Sequence, residues 1–297
     1  MSAAPTASHE EAVVLRVAGP TATVLVGGCE LEARLMPRVP GGPAVAGDRV
    51  RLRADAAEAD EAVVVEVARR TTVLERGDGP DRRPRAIVAN ADIVLIVAAV
   101  AEPPLRHRLI DRYLVAAEVG GLEAALVLTK IDLPHDERAV ADMLPIYRAI
   151  GVPAVTGTTS DPAFVEGIRA LIGGRMAILA GHSGVGKSSL TRELTGVERA
   201  VGAVSAKVGT GRHTTSDPRV IPLPGGGSVV DTAGVRTFHL PRMDRADLES
   251  GFVEIREAAQ GCRFRGCAHD GDAGCAVVGA VPAERLDSYR RMLADIR

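Results

Sequence analysis

The sequence predicts an α/β chain in three parts: a small all-β barrel, then a mostly parallel sheet with helices on both faces, then a short, mainly helical segment. Three observations predict it. Residues 11–70 carry short strands that alternate apolar and polar side chains between Gly/Pro turns. From residue 92 the pattern changes to strands and helices in alternation, as in doubly wound sheets. Close to the C-terminus, three of the four cysteines gather with a histidine inside residues 262–275. The length of 297 residues is enough for such an assembly.

Composition narrows the class. A hydrophobic share of 46% and a formal net charge of −2 exclude a disordered chain and a uniformly basic coat for nucleic acid. No apolar run approaches the ~18 residues that span a bilayer, and residues 1–5 lack the basic-then-apolar form of a secretory signal. A soluble cytoplasmic monomer, without a membrane partner, is expected. Of 36 Lys and Arg only Lys130, Lys187 and Lys207 are lysine. Lys130 and Lys187 both fall in nucleotide-binding motifs, where a compact ammonium serves and the planar fork of Arg does not.

Taken in order, the barrel strands are expected over 12–17, 21–26, 29–35, 48–53 and 62–67. Five short strands in this span suit a Greek-key barrel of the OB type, which often binds oligonucleotides. Arg49, Arg51 and Arg53 share one face by period two. A solvated face accounts for them as well as an RNA-facing stripe does. Phe, Tyr and Trp are absent here, which favours contact with the nucleic-acid backbone or its shape over base stacking. Cys29, isolated from the others, is expected in the barrel core. Residues 75–91, rich in Gly, Pro and Arg, read as a linker between a barrel domain over 1–74 and a nucleotide-binding domain over 92–244.

In that second domain, strands are expected over 93–100, 124–128, 152–155, 175–180 and 226–230, with helices over 105–119, 136–150, 162–172 and 188–194. Gly181-His182-Ser183-Gly184-Val185-Gly186-Lys187-Ser188 fits G-x-x-x-x-G-K-[ST] at every required position, between a strand and a helix, and Ser189 continues into the helix. Its glycines let successive N–H groups point at a phosphate chain. The helix N-terminus adds its dipole, Lys187 reaches the outer phosphates, and the Ser188 hydroxyl is placed for Mg²⁺.

Thr129-Lys130-Ile131-Asp132, at the end of an expected strand, resembles the guanine-reading motif N-K-x-D. A carboxylate there accepts from both N1–H and the N2 amine of guanine, a donor pair adenine lacks. Thr129 stands where Asn is usual, and Thr156-Gly157 is a poor match to a second guanine-contacting loop. Asp231-Thr232-Ala233-Gly234 matches D-x-x-G, in which Asp231 holds Mg²⁺ through water and the Gly234 N–H senses the γ-phosphate. Between the two phosphate motifs lies Gly209-Thr210-Gly211-Arg212-His213-Thr214-Thr215, Gly-rich and polar as a mobile switch should be. One of Thr214 and Thr215 closes onto Mg²⁺ in this reading, and the sequence does not say which.

The order of the motifs is itself informative. The guanine motif, which ordinarily follows D-x-x-G, here precedes the phosphate loop, so the sheet is circularly permuted. The second switch therefore runs directly into the C-terminal part, a domain over 245–297. There Cys262, Cys267, His269 and Cys275 offer three thiolates and one imidazole, the donor set of a closed tetrahedral Zn²⁺ site. A redox or accidental cluster is the competing account. Arg256, Arg263 and Arg265 around it fit RNA phosphates or plain solvation, and residues 283–296 read as a closing amphipathic helix.

Together the barrel, the permuted order, the G-R-H-T-T switch and the Cys/Cys/His/Cys cluster resemble the ribosome small-subunit-dependent GTPase A family, the RsgA/YjeQ type. The resemblance covers nearly the whole chain. It implies a GTP hydrolase that binds the 30S subunit late in its assembly, recognises 16S rRNA through its flanking domains, and is stimulated by the ribosome. Residue 235, where many GTPases place a water-orienting Gln, is Val. His213 is the candidate for aligning the attacking water, with a contact to rRNA or to a partner domain as its other reading. Lys187 neutralises the charge that develops on the β–γ bridge. A GTP-dependent RNA-binding module without turnover, and an ATP-using enzyme, are the competing functions.

Overall fold

The computed structural model describes residues 10–54, 62–78, 81–197, 218–232 and 238–296. His213, Thr214, Thr215 and Gly234 lie outside the described residues, as does Val235.

The N-terminal barrel is built of β1 (Glu10–Ala18), β2 (Thr21–Val26), β3 (Cys29–Leu35), β4 (Arg49–Ala54) and β5 (Ala62–Val67). Its strands neighbour one another in the order β1-β2-β3-β5-β4, and β4 pairs back onto β1 to close the ring. β3 and β5 run parallel, the other neighbours antiparallel. Alternation does the sorting: Val14, Val24, Ala33, Val50, Leu52 and Val64 fill the interior, while Arg49, Arg51 and Arg53 are exposed on the outer face of β4. Arg51 meets Glu66 at 3.0 Å across the sheet, and both remain largely in water. Cys29 corrects an expectation. It opens β3 directly after the Gly27-Gly28 turn and is exposed: it shares the inward parity of Leu31 and Ala33 but sits at the end of the strand, beyond the packed interior.

The segment expected as a linker is instead an antiparallel hairpin of β6 (Val73–Asp78) and β7 (Arg83–Ala89). Its composition hid it. Leu74, Ile87 and Val88 at its base are buried, while the outer half is held by backbone pairing, which needs no apolar side chain. The Gly77 N–H donates to His239 O (2.9 Å) and the Arg242 N–H to Arg82 O (2.9 Å), so the hairpin clasps the chain that leaves the Asp231 motif.

The central sheet contains β8 (Ile93–Ala99), β9 (Glu123–Thr129), β10 (Ala154–Thr156), β11 (Met176–Ala180), β12 (Arg219–Pro222) and β13 (Ser228–Asp231). The order is β10-β9-β8-β11-β13-β12, parallel except for β12, a four-residue antiparallel strand the sequence reading did not contain. Side-chain parity on β8 shows both faces covered. Val94 and Ile96 pack with residues of α1 (His107–Val119) and α2 (Glu137–Ala149). Ile93, Leu95 and Val97 pack with α3 (Pro162–Ile172) and α4 (Lys187–Thr195). β12 also touches β1 at Arg219↔Arg16, which joins the barrel to the sheet edge.

The C-terminal part holds α5 (Arg245–Ser250), α6 (Val253–Ala259), the Cys/His loop and α7 (Ala283–Ile296). Its apolar side chains Leu248, Phe252, Ile255, Tyr289 and Met292 share one core with α1 and α2. No helix among the described residues is long and apolar enough to cross a membrane.

Candidate nucleotide site and metal centre

β8, β9, β11 and β13 are parallel, so their carboxyl ends open on one edge of the sheet, where ligands of such folds sit. β11 ends at Ala180 and delivers the Gly181–Ser188 loop. Gly181 has φ +151°, and a Cβ there would stand 2.1 Å from Val97 O, so only glycine lets the loop leave the strand this close to β8. Gly186 caps α4 in the left-handed region at φ 97°. Lys187 is buried, and its ammonium donates to Gly181 O (2.7 Å) and His182 O (2.8 Å) of its own loop. Burial pushes its pKa down, and the carboxylate of Asp231 works against that shift.

Asp231 ends β13, paired with Leu179 of β11, and is fully buried. Thr232, the next residue, donates its hydroxyl to Leu179 O at 2.7 Å. Ser188, half-buried at the first turn of α4, and Asp231 offer hard oxygen donors of the kind Mg²⁺ takes.

β9 ends at Thr129, with β8 between it and the strand that delivers the phosphate loop. The Thr129 hydroxyl is fully buried and donates to Val185 O in that loop at 2.7 Å, with Ala98 O of β8 at 3.3 Å. Thr129 therefore ties the base-side turn to the phosphate-side loop. Lys130 takes a positive φ of 63°, and its ammonium donates to Glu102 O. Asp132 follows on the exposed side of the turn. Ser183 and Gly184 are exposed at the tip of the loop, His182 and Ser189 half-buried, and Val185 packs inward.

Two features escaped the sequence reading. Thr159 approaches the site: its methyl lies 3.8 Å from where a Gly186 Cβ would be, the same distance as the Thr129 hydroxyl. The adjoining Gly157 is fixed by Leu128 O (3.0 Å) and by Phe164, which would overlap any Cβ there at 2.4 Å. The hydroxyl-rich run Thr158-Thr159-Ser160 was the available signal. The second feature is Tyr113 of α1, stacked on Phe238 with ring centroids 4.2 Å apart. Burial raises its phenol pKa, and a hydrogen bond from the Gly181 backbone opposes the rise. The first glycine of the phosphate loop and the chain just after the Asp231 motif thus share one aromatic support, which no local motif announces.

A second candidate group, built of side chains that could hold a metal, lies in the C-terminal part. Cys262, Cys267, His269 and Cys275 bring their ligand atoms within 4.8 Å of one another, a group that could hold a metal ion. All four cysteines are free of disulfides. His269 sits at φ 57°, which turns its N–H toward Cys267 Sγ (3.4 Å), and the Ala276 N–H points at Cys262 Sγ (3.3 Å). Such N–H groups suit thiolates. His269 Nδ1 faces the sulfurs of Cys262 (3.7 Å) and Cys275 (3.6 Å), while Nε2 lies 3.5 Å from Arg245. Nδ1 is therefore the donor aimed at the cluster. Arg245 braces the loop through Cys267 O (2.7 Å) and is itself held by Glu249 (2.6 Å).

A family model described as RsgA GTPase matches residues 67–241. The small ribosomal subunit biogenesis GTPase RsgA of Azotobacter vinelandii is 39% identical over 280 residues, covering 90% of this chain and 78% of the relative. The crystal structure of YjeQ from Thermotoga maritima superposes with a TM-score of 0.74 at 26% identity, over 97% of this chain and 99% of that one. YloQ, described as a circularly permuted GTPase, superposes at 0.69 with 24% identity over 97% and 95% of the two chains, a likeness of fold. With the permuted strand order and the phosphate loop in place, these matches settle the lineage: the chain belongs to the RsgA GTPase family.

Proposed function

We propose that this chain hydrolyses GTP to GDP and phosphate while bound to the small ribosomal subunit late in that particle's maturation. The observation that carries the proposal is the Thr129–Val185 hydrogen bond of 2.7 Å, which ties the Thr129–Asp132 turn to the Lys187 loop on one sheet edge. The curated relative's name, small ribosomal subunit biogenesis GTPase, supports the partner.

In this reading, Asp132 accepts from guanine N1–H and N2, and the stem of Lys130 covers the base plane. The N–H groups of the Gly181–Ser189 loop cradle the phosphates. The Lys187 ammonium exchanges the loop carbonyls for phosphate oxygens, and burial strengthens that interaction. Ser188, Asp231 and one of Thr214 and Thr215 would hold Mg²⁺, which when bound neutralises charge on the β- and γ-phosphates. The Gly234 N–H meets the γ-phosphate. Val235 cannot hydrogen-bond water, so hydrolysis is slow until the ribosome orders the switches and His213 aligns the nucleophile.

Zinc is the metal proposed for the cysteine/histidine group, because three thiolates and an imidazole in a closed tetrahedron suit it. It staples a segment with little core of its own. The outer face of β4 is assigned to 16S rRNA phosphates. The proposed division is a barrel over 1–74, a nucleotide domain over 92–244 and a metal-binding domain over 245–297, in a cytoplasmic monomer.

Turnover of GTP measured against 30S, 50S and 70S particles tests the proposal. Stimulation by 30S is expected. Absence of turnover with every particle would instead favour a GTP-dependent RNA-binding module. His213→Ala should abolish the stimulated rate and leave GTP affinity unchanged; undiminished stimulation removes His213 from the mechanism.

A further inference from the structure

Aromatic side chains are scarce in this protein: four Phe, three Tyr and no Trp. Tyr113, Tyr147, Phe164, Phe238, Phe252 and Tyr289 are each at most 4% exposed, whereas Phe264 is 54% exposed. A lone exposed apolar residue ordinarily calls for no account. Phe264 differs in its setting.

It lies between two residues of the metal cluster, Cys262 and Cys267, on a backbone fixed from both sides. The Cys267 N–H closes a turn onto Phe264 O (3.4 Å), and the Arg263 N–H is held by Gly274 O (3.0 Å). The ring is thus presented by a stapled loop that has little room to fold it back. Cations flank it. The Arg263 guanidinium stands 5.3 Å from the ring centroid, and Arg265 is exposed on the following residue. Of the neighbouring carboxylates, Asp270 lies 3.7 Å from Arg290 and Asp272 Oδ2 lies 3.4 Å from Cys267 Sγ.

An exposed aromatic ring with one guanidinium against it and a second exposed arginine next in the chain matches the chemistry of an unpaired nucleotide. The base offers a π-face to the ring, and its flanking phosphates meet the arginines. A duplex offers no free base face.

We propose that Phe264 is a stacking platform for an unpaired base of a single-stranded RNA segment, with Arg263 and Arg265 on the flanking phosphates. The proposal rests on the reading of this chain as an rRNA-binding protein and assigns the metal-loop surface a distinct task. The barrel, which has no aromatic residue and an Arg stripe, suits phosphate contact alone, while the metal loop grips a splayed base.

Because the chain has no Trp, Phe264→Trp places a single tryptophan at the tip, and it keeps a stacking face. The full-length, metal-loaded protein would be titrated with a single-stranded oligoribonucleotide of mixed sequence, and separately with the same sequence as a duplex. Quenching of the tryptophan by the single strand and none by the duplex is expected. Phe264→Ala should weaken single-strand binding about tenfold, toward the lower end of the range for losing one stacked base. Phe264→Trp should restore it. Bound zinc per chain, measured for each variant, shows whether the loop is intact.

Equal binding by Phe264→Ala, with zinc retained, overturns the platform. So does quenching by the duplex alone. If Phe264→Ala loses affinity for 30S particles yet binds the oligonucleotide normally, the partner is a ribosomal protein surface and the proposal fails. If 30S particles neither bind the unmodified protein nor stimulate its GTP turnover, the broader rRNA reading falls as well. Stimulated turnover with an inert Phe264 sinks the platform alone.

Discussion

The nucleotide-binding sheet is joined to a flanking unit at each end, and the two junctions use opposite chemistry. On the barrel side the contact is mostly backbone. Ala46 bridges Val88, Gly47 lies against Ala89 O with no room for a Cβ (2.0 Å), and the Asn90 amide reaches Gly47 O at 3.0 Å. Two ion pairs reinforce it: Arg70 forks onto Asp48 at 2.8 and 2.9 Å, and Arg219 of β12 meets Glu30 of β3 at 3.5 Å, and in each the arginine keeps partial access to water.

On the C-terminal side the contact is a desolvated charge. Arg285 of α7, 1% exposed, donates to Asp111 of α1 (2.7 Å) and to Glu254 of α6 (2.6 Å), and lies 4.2 Å over the Phe252 ring. Tyr147 of α2 donates to the same Asp111 oxygen at 2.9 Å. Backbone pairing tolerates side-chain change. A buried ion network does not, because removing one member strands the others without water. The C-terminal unit is therefore held all-or-none against α1, the helix whose Tyr113 also supports Gly181 and Phe238.

Breaking this contrast should begin with Arg285→Ala. It leaves Asp111 buried with no compensating charge and should cost about 3–5 kcal/mol. Urea denaturation would read the loss, and hydrogen exchange should show α7 deprotected. A change below 1 kcal/mol would mean that the charge is not what holds the junction.

Asp48→Ala makes the matching test on the barrel side. Arg70 can still reach solvent, so the loss should be nearer 2 kcal/mol, with barrel amides rather than those of α7 exchanging faster. Equal effects from Arg285→Ala and Asp48→Ala would erase the distinction.

The rim pairs of the C-terminal junction set the lower bound. Arg108–Asp287 (2.9 Å) and Arg112–Asp295 (3.5 Å) lie in water. Replacing Arg108 and Arg112 by Ala together should cost about 1 kcal/mol or less, and that cost should fade in 1 M salt. A salt-independent loss would show that they belong to the buried network.

Much of the site was legible because each motif is a local device. The phosphate loop depends on Gly181, Gly184 and Gly186 at set spacing, the base-side turn on Thr129 to Asp132, and the metal group on four donors within fourteen residues. Even the permutation could be read, since it is only an order. Thr129 was legible as a departure from the usual Asn but not as the residue that bonds Val185, because the partner lies in the phosphate loop 56 residues further along the chain. The β6–β7 hairpin and β12 were missed for a different reason: they are held by backbone hydrogen bonds, which leave little trace in side-chain type.

The sequence by itself thus determined the parts and their order: a closed barrel from period-two alternation, a permuted nucleotide sheet from its motifs, and a metal group from Cys/His spacing. Tertiary structure alone decided how those parts act on one another. Arg285 and Asp111 lie 174 residues apart and look in sequence like two ordinary surface charges. Only packing that removes water from both turns them into a junction. Tyr113 and Phe238 likewise read as separate core residues until the fold stacks them beside Gly181. Local spacing specifies chemistry over a few residues, whereas coupling between distant residues is set by which surfaces exclude solvent together.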